Sequence, residues 1–163
     1  MPQGHDEEPV AFLLRSWANT LPAPAAEVVA TADLARQYLY LPITATHSRL
    51  PLLRSHLWDW MSKVDLPVPL RHDIMVAVDE AATNAATHAF AATPGTVTLF
   101  AVSHDDPPGV TVIVADDGSW HVSPHAKSSG LGLPMLANLA DHFDLHHQDS
   151  GTTVVMRWTA PLD

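Results

Sequence analysis

The feature that most constrains the fold is a pair of β-rich runs, at residues 96–103 (TVTLFAVS) and 110–117 (VTVIVADD), joined by the short polar link HDDPPG. Runs rich in Val, Thr and Ile favour strands, and a short link that contains Pro and Gly favours a tight connection. The two runs therefore predict an antiparallel hairpin.

The segments around this hairpin alternate between strand-like and helix-like patterns. We expect a strand at 37–44, helices at about 46–64, 70–90 and 130–141, and a second hairpin at 143–160. This order predicts an α+β fold, a two-layer α/β sandwich with a mixed, mostly antiparallel sheet covered by helices on one face.

Two of the predicted helices have a recognisable apolar face. In the helix that begins near Thr46 or Ser48, either of which is a candidate N-cap, apolar residues recur at intervals of three and four. The residues of that face are Leu50, Leu53, Leu57, Trp58 and Met61. The residues of the corresponding stripe in the helix at 70–90 are Ile74, Val78, Ala81, Ala85 and Ala89.

The beginning of the chain differs from the rest. Residues 1–30 contain one short amphipathic patch, VAFLLRSWA at 10–18, followed by an alanine-rich stretch. We interpret 1–30 as an appendage with one helix and 31–163 as a single domain, since 163 residues leave no room for a second domain of ordinary size. The patch could form a dimer surface or fold back on the domain.

Charge and composition limit the classes of function. The chain has 18 Asp and Glu against 8 Lys and Arg, a formal net charge of −10, and no basic cluster, which argues against direct binding of DNA or RNA. The acidic start and the lack of a long apolar run predict neither a signal peptide nor a membrane span, so we expect a cytoplasmic protein. The absence of Cys excludes disulfides, thiolate metal sites and Cys nucleophiles.

The acidic charge is concentrated in the second half. Residues 72–163 carry eleven acidic and two basic residues, whereas residues 1–71 carry seven and six. An anionic ligand bound in the second half would need help from a metal ion and from backbone N–H groups.

The first candidate for chemistry is a polar row in the helix predicted at 70–90. Glu80, Asn84 and His88 are spaced at i, i+4 and i+8, and each step turns the helix by about 40° and rises by ~6 Å. Their neighbours are mostly Ala, which leaves room for a bulky ligand against the helix. From spacing alone, a solvated polar stripe explains the same pattern.

Three glycine-containing segments are further candidates. VADDG at 114–118 ends a strand with two carboxylates, although such a sequence is most often a turn. GLGLPML at 130–136 places two glycines before a helix, where the first N–H groups can bind phosphate. GTT at 151–153 by itself indicates a hairpin turn that enters a strand.

Together and in this order, the four segments resemble the nucleotide-binding boxes of the GHKL (histidine kinase-like) ATPase superfamily. Within it, the anti-sigma-factor serine/threonine kinases are most similar, and the resemblance covers about residues 37–160. The residues that carry it are the opening YLPITATHSRLPLLRSHLWDW, the pattern Glu-Ala-x-Thr-Asn-Ala-x-x-His at 80–88, Asp116 to Gly118, the GLGL run and the closing GTTV.

The resemblance implies roles for the first two boxes. Glu80 would be the catalytic general base, Asn84 would hold Mg²⁺ through its amide oxygen, and His88 would lie in the same nucleotide-binding row. Asp116 would accept the 6-amino group of adenine and so select ATP over GTP, and Gly118 would admit the purine.

The resemblance also implies how phosphate is bound. Gly130 and Gly132, with the helix start at Leu133, would cradle the phosphates, and residues 119–129 would form the lid. Lys127, the only Lys or Arg between residues 72 and 156, would reach the β- or γ-phosphate or else be a solvated loop residue.

Thr152 or Thr153 would close the adenine pocket from the sheet. The sequence departs from the family pattern at Trp120, where a second glycine is common, and at Ser128 and Ser129, where an arginine or glycine is common. These departures put the lid hinge and one phosphate contact in doubt.

The implied function is an ATP-binding anti-sigma factor with protein serine/threonine kinase activity. It would sequester a sigma factor and phosphorylate an anti-anti-sigma (STAS-type) antagonist, with ATP and Mg²⁺ as cofactors, and a homodimer is possible. One alternative is a non-catalytic module of the same fold that acts by partner binding alone. Another is a His-rich metal-responsive protein, but His142 and His146 would lie about 13 Å apart on a strand.

Overall fold

The structure is a computed structural model that describes residues 8–88, 95–105, 107–118 and 133–160. Its helices are α1 (Glu8–Ala18), α2 (Ala23–Thr31), α3 (Leu50–Lys63), α4 (Val68–His88) and α5 (Leu133–Leu139). Its strands are β1 (Tyr38–Thr44), β2 (Thr96–Asp105), β3 (Pro108–Asp116), β4 (His142–Gln148) and β5 (Gly151–Thr159).

The chain divides into two compact units, Met1–Ala32 and Asp33–Asp163. The first unit contains two helices, α1 and α2, where we expected one. Pro22 and Pro24 explain the second helix, because proline is accommodated at the start of a helix, where no intrahelical N–H bond is lost. Within α1, Leu14 is buried, whereas Phe12 and Leu13 are exposed.

The second unit is an α+β sandwich, as predicted. Its five strands form one sheet in the order β1-β2-β3-β5-β4, and all four pairings are antiparallel. The first hairpin, β2–β3, pairs Val97 with Asp116 and Asp105 with Pro108. Because β3 pairs with β5 rather than with β4, the chain between β3 and β5, which includes α5 and the edge strand β4, begins and ends beside the same point of the sheet.

The core of the second unit lies between the sheet and α3, α4 and α5. Alternate strand residues such as Val97, Leu99 and Val112 face this layer, because successive side chains of a strand point to opposite faces of the sheet. The helices contribute Leu57, Ile74, Leu136 and other buried apolar residues. Helix α4 packs on β2, β3, α3 and α5, so its polar row is held by the most central helix of the layer.

The start of α3 differs from the expected cap. A single 3₁₀ turn, His47–Arg49, precedes α3; Thr46 precedes this turn without a side-chain cap bond, and the N-cap residue of α3 is Arg49. The two hydroxyls bond each other instead, with 3.1 Å between Thr46 Oγ1 and Ser48 Oγ.

The predicted apolar face of α3 was wrong at one position. Trp60 is buried, and its indole N–H donates to the Gln37 carbonyl over 3.3 Å, whereas Trp58 is exposed. Trp58 lies on the surface with its ring centroid 5.5 Å from that of His72 and 5.8 Å from the Arg71 guanidinium.

The other elements differ from expectation mainly at their ends. Helix α4 begins at Val68, two residues earlier than predicted, with Pro67 accepting from the Arg71 N–H over 3.1 Å. Helix α5 covers seven residues of the predicted 130–141. Across the described ranges, none of the helices combines the length and apolar character that a membrane crossing requires.

Candidate functional site

Asp116 ends β3 and has a carboxylate that is fixed by the backbone. The consecutive Val, Thr and Ile residues of VTVIV favour the strand, and Asp116 is the last residue in it. Its Oδ1 accepts an N–H bond from Gly118 over 3.0 Å and another from Thr152 over 3.4 Å. The first bond closes the turn after β3, and the second joins β3 to β5.

Asp117 has a different role from Asp116. Its Oδ1 accepts from the Thr96 N–H over 2.9 Å, and its own N–H donates to the Thr96 carbonyl over 3.3 Å. These bonds close the end of the β2–β3 pair, so the Asp117 carboxylate supports the sheet at the edge of the candidate site.

Gly151 is required by its contact with Asp116, which the sequence did not reveal. Its φ is +147°, and a Cβ placed on it would be 1.9 Å from the Asp116 carbonyl oxygen. A real Cβ cannot approach an oxygen so closely, and this φ disfavours any residue with a side chain. The glycine of GTT therefore holds β5 against the residue that is expected to bind adenine.

The structure separates the two threonine candidates. Thr153 pairs with Ala115, so Thr152, the preceding residue of β5, faces the same side of the sheet as Asp116, and Thr153 faces the other side. Thr152 is 2% exposed, and its hydroxyl is 3.0 Å from Nδ1 of His147 on β4. His147, which the sequence analysis did not single out, is therefore a side-chain partner of the Thr152 hydroxyl.

The polar row of α4 is formed within one continuous helix. Glu80 and Asn84 are both partly exposed, and Ala77, Ala81 and Ala85 on the inner side are buried. The small side chains let the helix lie close to the sheet while the two polar groups stay accessible. His88 is the last residue of α4, and its side chain lies outside the described part of the structure.

The C-terminal end of α4 lies at the same end of the sheet as Asp116. Thr87 Oγ1 is 3.4 Å from His47 Nε2, just after β1. The Ala45 N–H donates to the Gly95 carbonyl over 2.9 Å, and the next residue, Thr96, bonds Asp117. The structure thus brings the α4 row and the end of β3 to one end of the sandwich.

The phosphate-binding candidates fall mostly outside the described residues. These are Lys127, Gly130 and Gly132, and the side chain of Leu133 is likewise not described, although Leu133 is the first residue of α5. The other end of α5 is fixed by the Trp158 indole N–H, which donates to the Leu139 carbonyl over 2.9 Å.

The residues of α4 fit Mg²⁺ in donor chemistry. Mg²⁺ prefers hard oxygen ligands and usually takes one or two from the protein, with the rest from water and phosphate. The amide oxygen of Asn84 and the carboxylate of Glu80 are such donors on an accessible helix face. Within the described ranges, no three His, Asp or Glu side chains form a group that could hold a metal ion.

The second unit is a two-layer sandwich with a carboxylate at the end of the sheet and a polar row on the central helix. A family model described as the histidine kinase-like ATPase domain matches residues 43–158, and the chain belongs to this family. Membership implies an ATP site. No curated protein matches the chain.

A solved structure has a similar fold. The crystal structure of the RsbU and RsbW domains of Rv1364c from Mycobacterium tuberculosis matches with a TM-score of 0.64 and 22% sequence identity. The match covers 77% of this chain and 33% of that one, so this chain spans about a third of the length of its neighbour. At this identity the likeness establishes the fold.

Proposed function

We propose that the protein is an ATP-binding anti-sigma factor that sequesters a sigma factor and phosphorylates a Ser or Thr of an anti-anti-sigma antagonist. The observation that carries the proposal is the carboxylate of Asp116, held by two backbone N–H groups at the end of the sheet that also receives the Glu80 and Asn84 helix. Membership of an ATPase family supports the nucleotide, and the motif resemblance supports the kinase subgroup.

Asp116 selects adenine in this proposal. The 6-amino group of adenine donates to its carboxylate, whereas the 6-carbonyl of guanine would face it with a second acceptor. Gly118 follows within two residues and has no side chain to obstruct the purine. Thr152, whose backbone N–H donates to Asp116, lines the same pocket.

Glu80 is the general base in this proposal. It takes the proton from the substrate hydroxyl as that oxygen attacks the γ-phosphorus, and the bond to the β–γ bridging oxygen breaks to release ADP. Asn84, one turn further along α4, holds Mg²⁺ through its amide oxygen, and His88 completes the row. When bound, Mg²⁺ supplies positive charge that stabilises the phosphates during transfer.

The phosphates are assigned to the segment before α5 because of the sequence resemblance. Gly130, Gly132 and the helix start at Leu133 would offer backbone N–H groups, and Lys127 would add one of the two basic charges of residues 72–163. An anion bound among −9 formal charges needs both contributions.

The proposed partners are proteins. A net charge of −10 suits a basic, DNA-binding sigma factor, and the fold likeness to a chain with an RsbW domain agrees with the anti-sigma subgroup. Affinity capture from an extract of the source cells should recover a sigma factor or a STAS-type antagonist. Capture of neither would contradict the partner assignment. A homodimer belongs to the same proposal.

The ATP site is tested by two matched substitutions. Asp116→Asn keeps an oxygen for the two backbone N–H groups but turns the other carboxylate oxygen into an amide donor, which opposes the adenine amino group. We expect calorimetry with ATP and Mg²⁺ to show a loss of affinity of about tenfold to a hundredfold.

Asp117→Asn is the control at the neighbouring position, because the substituted amide still offers an oxygen to the Thr96 N–H. It should bind ATP as the wild type does. Equal affinity in the wild type and Asp116→Asn would refute the adenine assignment, and no binding heat in the wild type would refute the nucleotide site.

A non-catalytic module that acts by partner binding is the second candidate. Trp120 in place of the second glycine of the first box, and Ser128–Ser129 in place of an arginine or glycine, favour it. This module would bind its partner unchanged after Glu80→Gln and would transfer no phosphate before or after that substitution.

A further inference from the structure

A hydrogen bond joins Thr152, a candidate residue of the adenine pocket, to His147 on the edge strand, which lies outside the four motif segments. His147 pairs with Thr152 across β4 and β5, and its Nδ1 lies 3.0 Å from the Thr152 hydroxyl. The imidazole is exposed, whereas Thr152 is 2% exposed. The inner hydroxyl is therefore set by a partner that can be changed without disturbing the core.

The direction of this bond decides what the hydroxyl offers to a ligand. A threonine hydroxyl has one hydrogen and two lone pairs. If Nδ1 of His147 carries a proton, it donates to Oγ1, and the hydroxyl hydrogen is available to the ligand. If Nδ1 is bare, it takes that hydrogen, and the ligand meets lone pairs.

Thr152 also holds the neighbouring acceptor in place. Its backbone N–H donates to Asp116 Oδ1 over 3.4 Å, and alternation along the two strands puts both residues on the same face of the sheet. A carboxylate acceptor beside a hydroxyl donor matches the edge of adenine, where the amino group donates and N1 accepts. The edge of guanine has the reverse order, because its carbonyl accepts and its N1–H donates.

We propose that His147 is a positioning residue that donates from Nδ1 to Thr152 and so presents the hydroxyl as a donor to N1 of adenine. This inference rests on the proposed function, since it requires ATP at Asp116. It adds a second determinant of base choice, carried by the edge strand rather than by the end of β3.

The experiment compares ATP with 1-deaza-ATP, in which a C–H replaces N1, by calorimetry with Mg²⁺. The wild type should bind 1-deaza-ATP about tenfold more weakly, the loss expected for one unmade hydrogen bond. His147→Asn has an N–H donor and should keep the wild-type ratio of ATP affinity to 1-deaza-ATP affinity. His147→Asp has nearly the same shape as His147→Asn, but its carboxylate can only accept a hydrogen bond. It should therefore bring the ratio of the two affinities close to one.

His142→Asp is the control for added charge, since it places the same carboxylate on the same strand, at an exposed position opposite Arg157. It should keep the wild-type ratio. A wild-type ratio in His147→Asp would overturn the inference and leave the ATP site intact. A wild type that binds neither nucleotide would overturn the proposed function itself.

A measurement on the unaltered protein gives the same decision if His147→Asp does not fold. In the ATP-bound wild type, the ¹⁵N resonance of His147 Nδ1 should fall among those of protonated imidazole nitrogens. An unprotonated Nδ1 in that complex would overturn the inference.

Discussion

Asp116 and Asp117 are adjacent and chemically identical, yet their neighbours give them different roles. Asp116 Oδ1 receives the N–H groups of Gly118 and Thr152 at the end of β3, and Asp117 Oδ1 receives the Thr96 N–H. The bonds from Gly118 and Thr152 orient the Asp116 carboxylate at the candidate site, whereas the bond from Thr96 uses the Asp117 carboxylate to close the β2–β3 pair. Alternation along β5 separates the two threonines in a similar way, because Thr152 lies on the face of Asp116 and Thr153 on the other face.

At this scale, Gly151→Ala should damage both stability and nucleotide binding. The new Cβ would collide with the Asp116 carbonyl at 1.9 Å and would force an unfavourable φ, so we expect a loss of about 2–5 kcal/mol in the free energy of unfolding. Urea denaturation measures the loss, and calorimetry measures ATP affinity at a temperature at which the variant is folded.

Gly109→Ala is the matched control for Gly151→Ala. Its Cβ would be 2.1 Å from the Trp158 carbonyl, at the other end of the sheet from Asp116. It should be similarly destabilised, but its folded fraction should bind ATP normally. Normal ATP affinity in folded Gly151→Ala would show that the contact does not position Asp116.

Glu80→Gln tests the proposed base. The amide keeps the size of the carboxylate but cannot accept the substrate proton, so phosphate transfer to the antagonist should fall by about 10²–10⁴-fold with ATP affinity nearly unchanged. Asp73→Asn, two turns earlier on α4 and exposed, should transfer phosphate at the wild-type rate. Undiminished transfer by Glu80→Gln would assign the base elsewhere.

The sequence identified candidate residues but could not supply the contacts between distant segments. The resemblance pointed to Asp116, Glu80 and Asn84 because these have recognisable local patterns. The need for Gly151 arises from a carbonyl 35 positions earlier in the chain, and the choice between Thr152 and Thr153 depends on the β3–β5 register. Neither constraint is visible in a single segment.

Among the elements, the strands were predicted well because their β-branched runs leave few alternatives. The apolar face predicted for α3 included Trp58 in place of Trp60, although exact helical spacing favours Trp60. Trp60 is three residues after Leu57 and seven after Leu53, which puts it on their face, whereas Trp58 is about 100° around the helix from Leu57. Helix ends were less predictable. Pro67 and Pro69 both suit the first turn of α4, so the sequence did not decide between a start at Val68 and a start at Leu70.

An ion pair joins the segment before β1 to the first hairpin and should make stability depend on pH. A hydrogen bond from Arg36, and then its positive charge, lower the pKa of the Asp105 carboxyl in the folded protein. Because folding lowers this pKa, the ion pair stabilises the protein at pH values above the unfolded pKa of about 3.9. This stabilisation is lost as the pH falls through the pKa of the folded protein.

Asp105→Asn should therefore lower the Tm at pH 7 slightly, and the difference from the wild type should vanish in acid. Thermal unfolding between about pH 7 and pH 2 measures it, and the range spans the ordinary carboxyl pKa. In an Arg36→Gln background, Asp105→Asn should have little effect at any pH. A Tm difference that persists at pH 2 would require another cause.

For the whole molecule, the distribution of charge is the main physical property. The candidate nucleotide site lies in the half that carries eleven acidic and two basic residues. That half repels free nucleotide over a distance set by the ionic strength. The histidine kinase-like ATPase match, at 43–158, extends over this half and ends within β5.

This repulsion predicts an unusual salt dependence. Raising NaCl from about 20 mM to about 150 mM shortens the Debye length from about 20 Å to about 8 Å, so ATP with Mg²⁺ should bind a few-fold more tightly. Adenosine, which is uncharged, should show no such change. A weakening of ATP binding with salt would show that direct contacts with a cation such as Lys127 dominate.

Because Asp116 and Gly151 are in contact, the stretch 117–150, which includes α5 and β4, begins and ends at nearly the same point of the sheet. A detour whose two ends touch can change in length at small entropic cost, because closing a longer loop adds only about 0.6 kcal/mol per doubling. Because α5 and β4 pack against the rest of the fold, a change in length in this stretch is best placed in residues 119–132, between β3 and α5, where it would leave the contact between Asp116 and Gly151 in place.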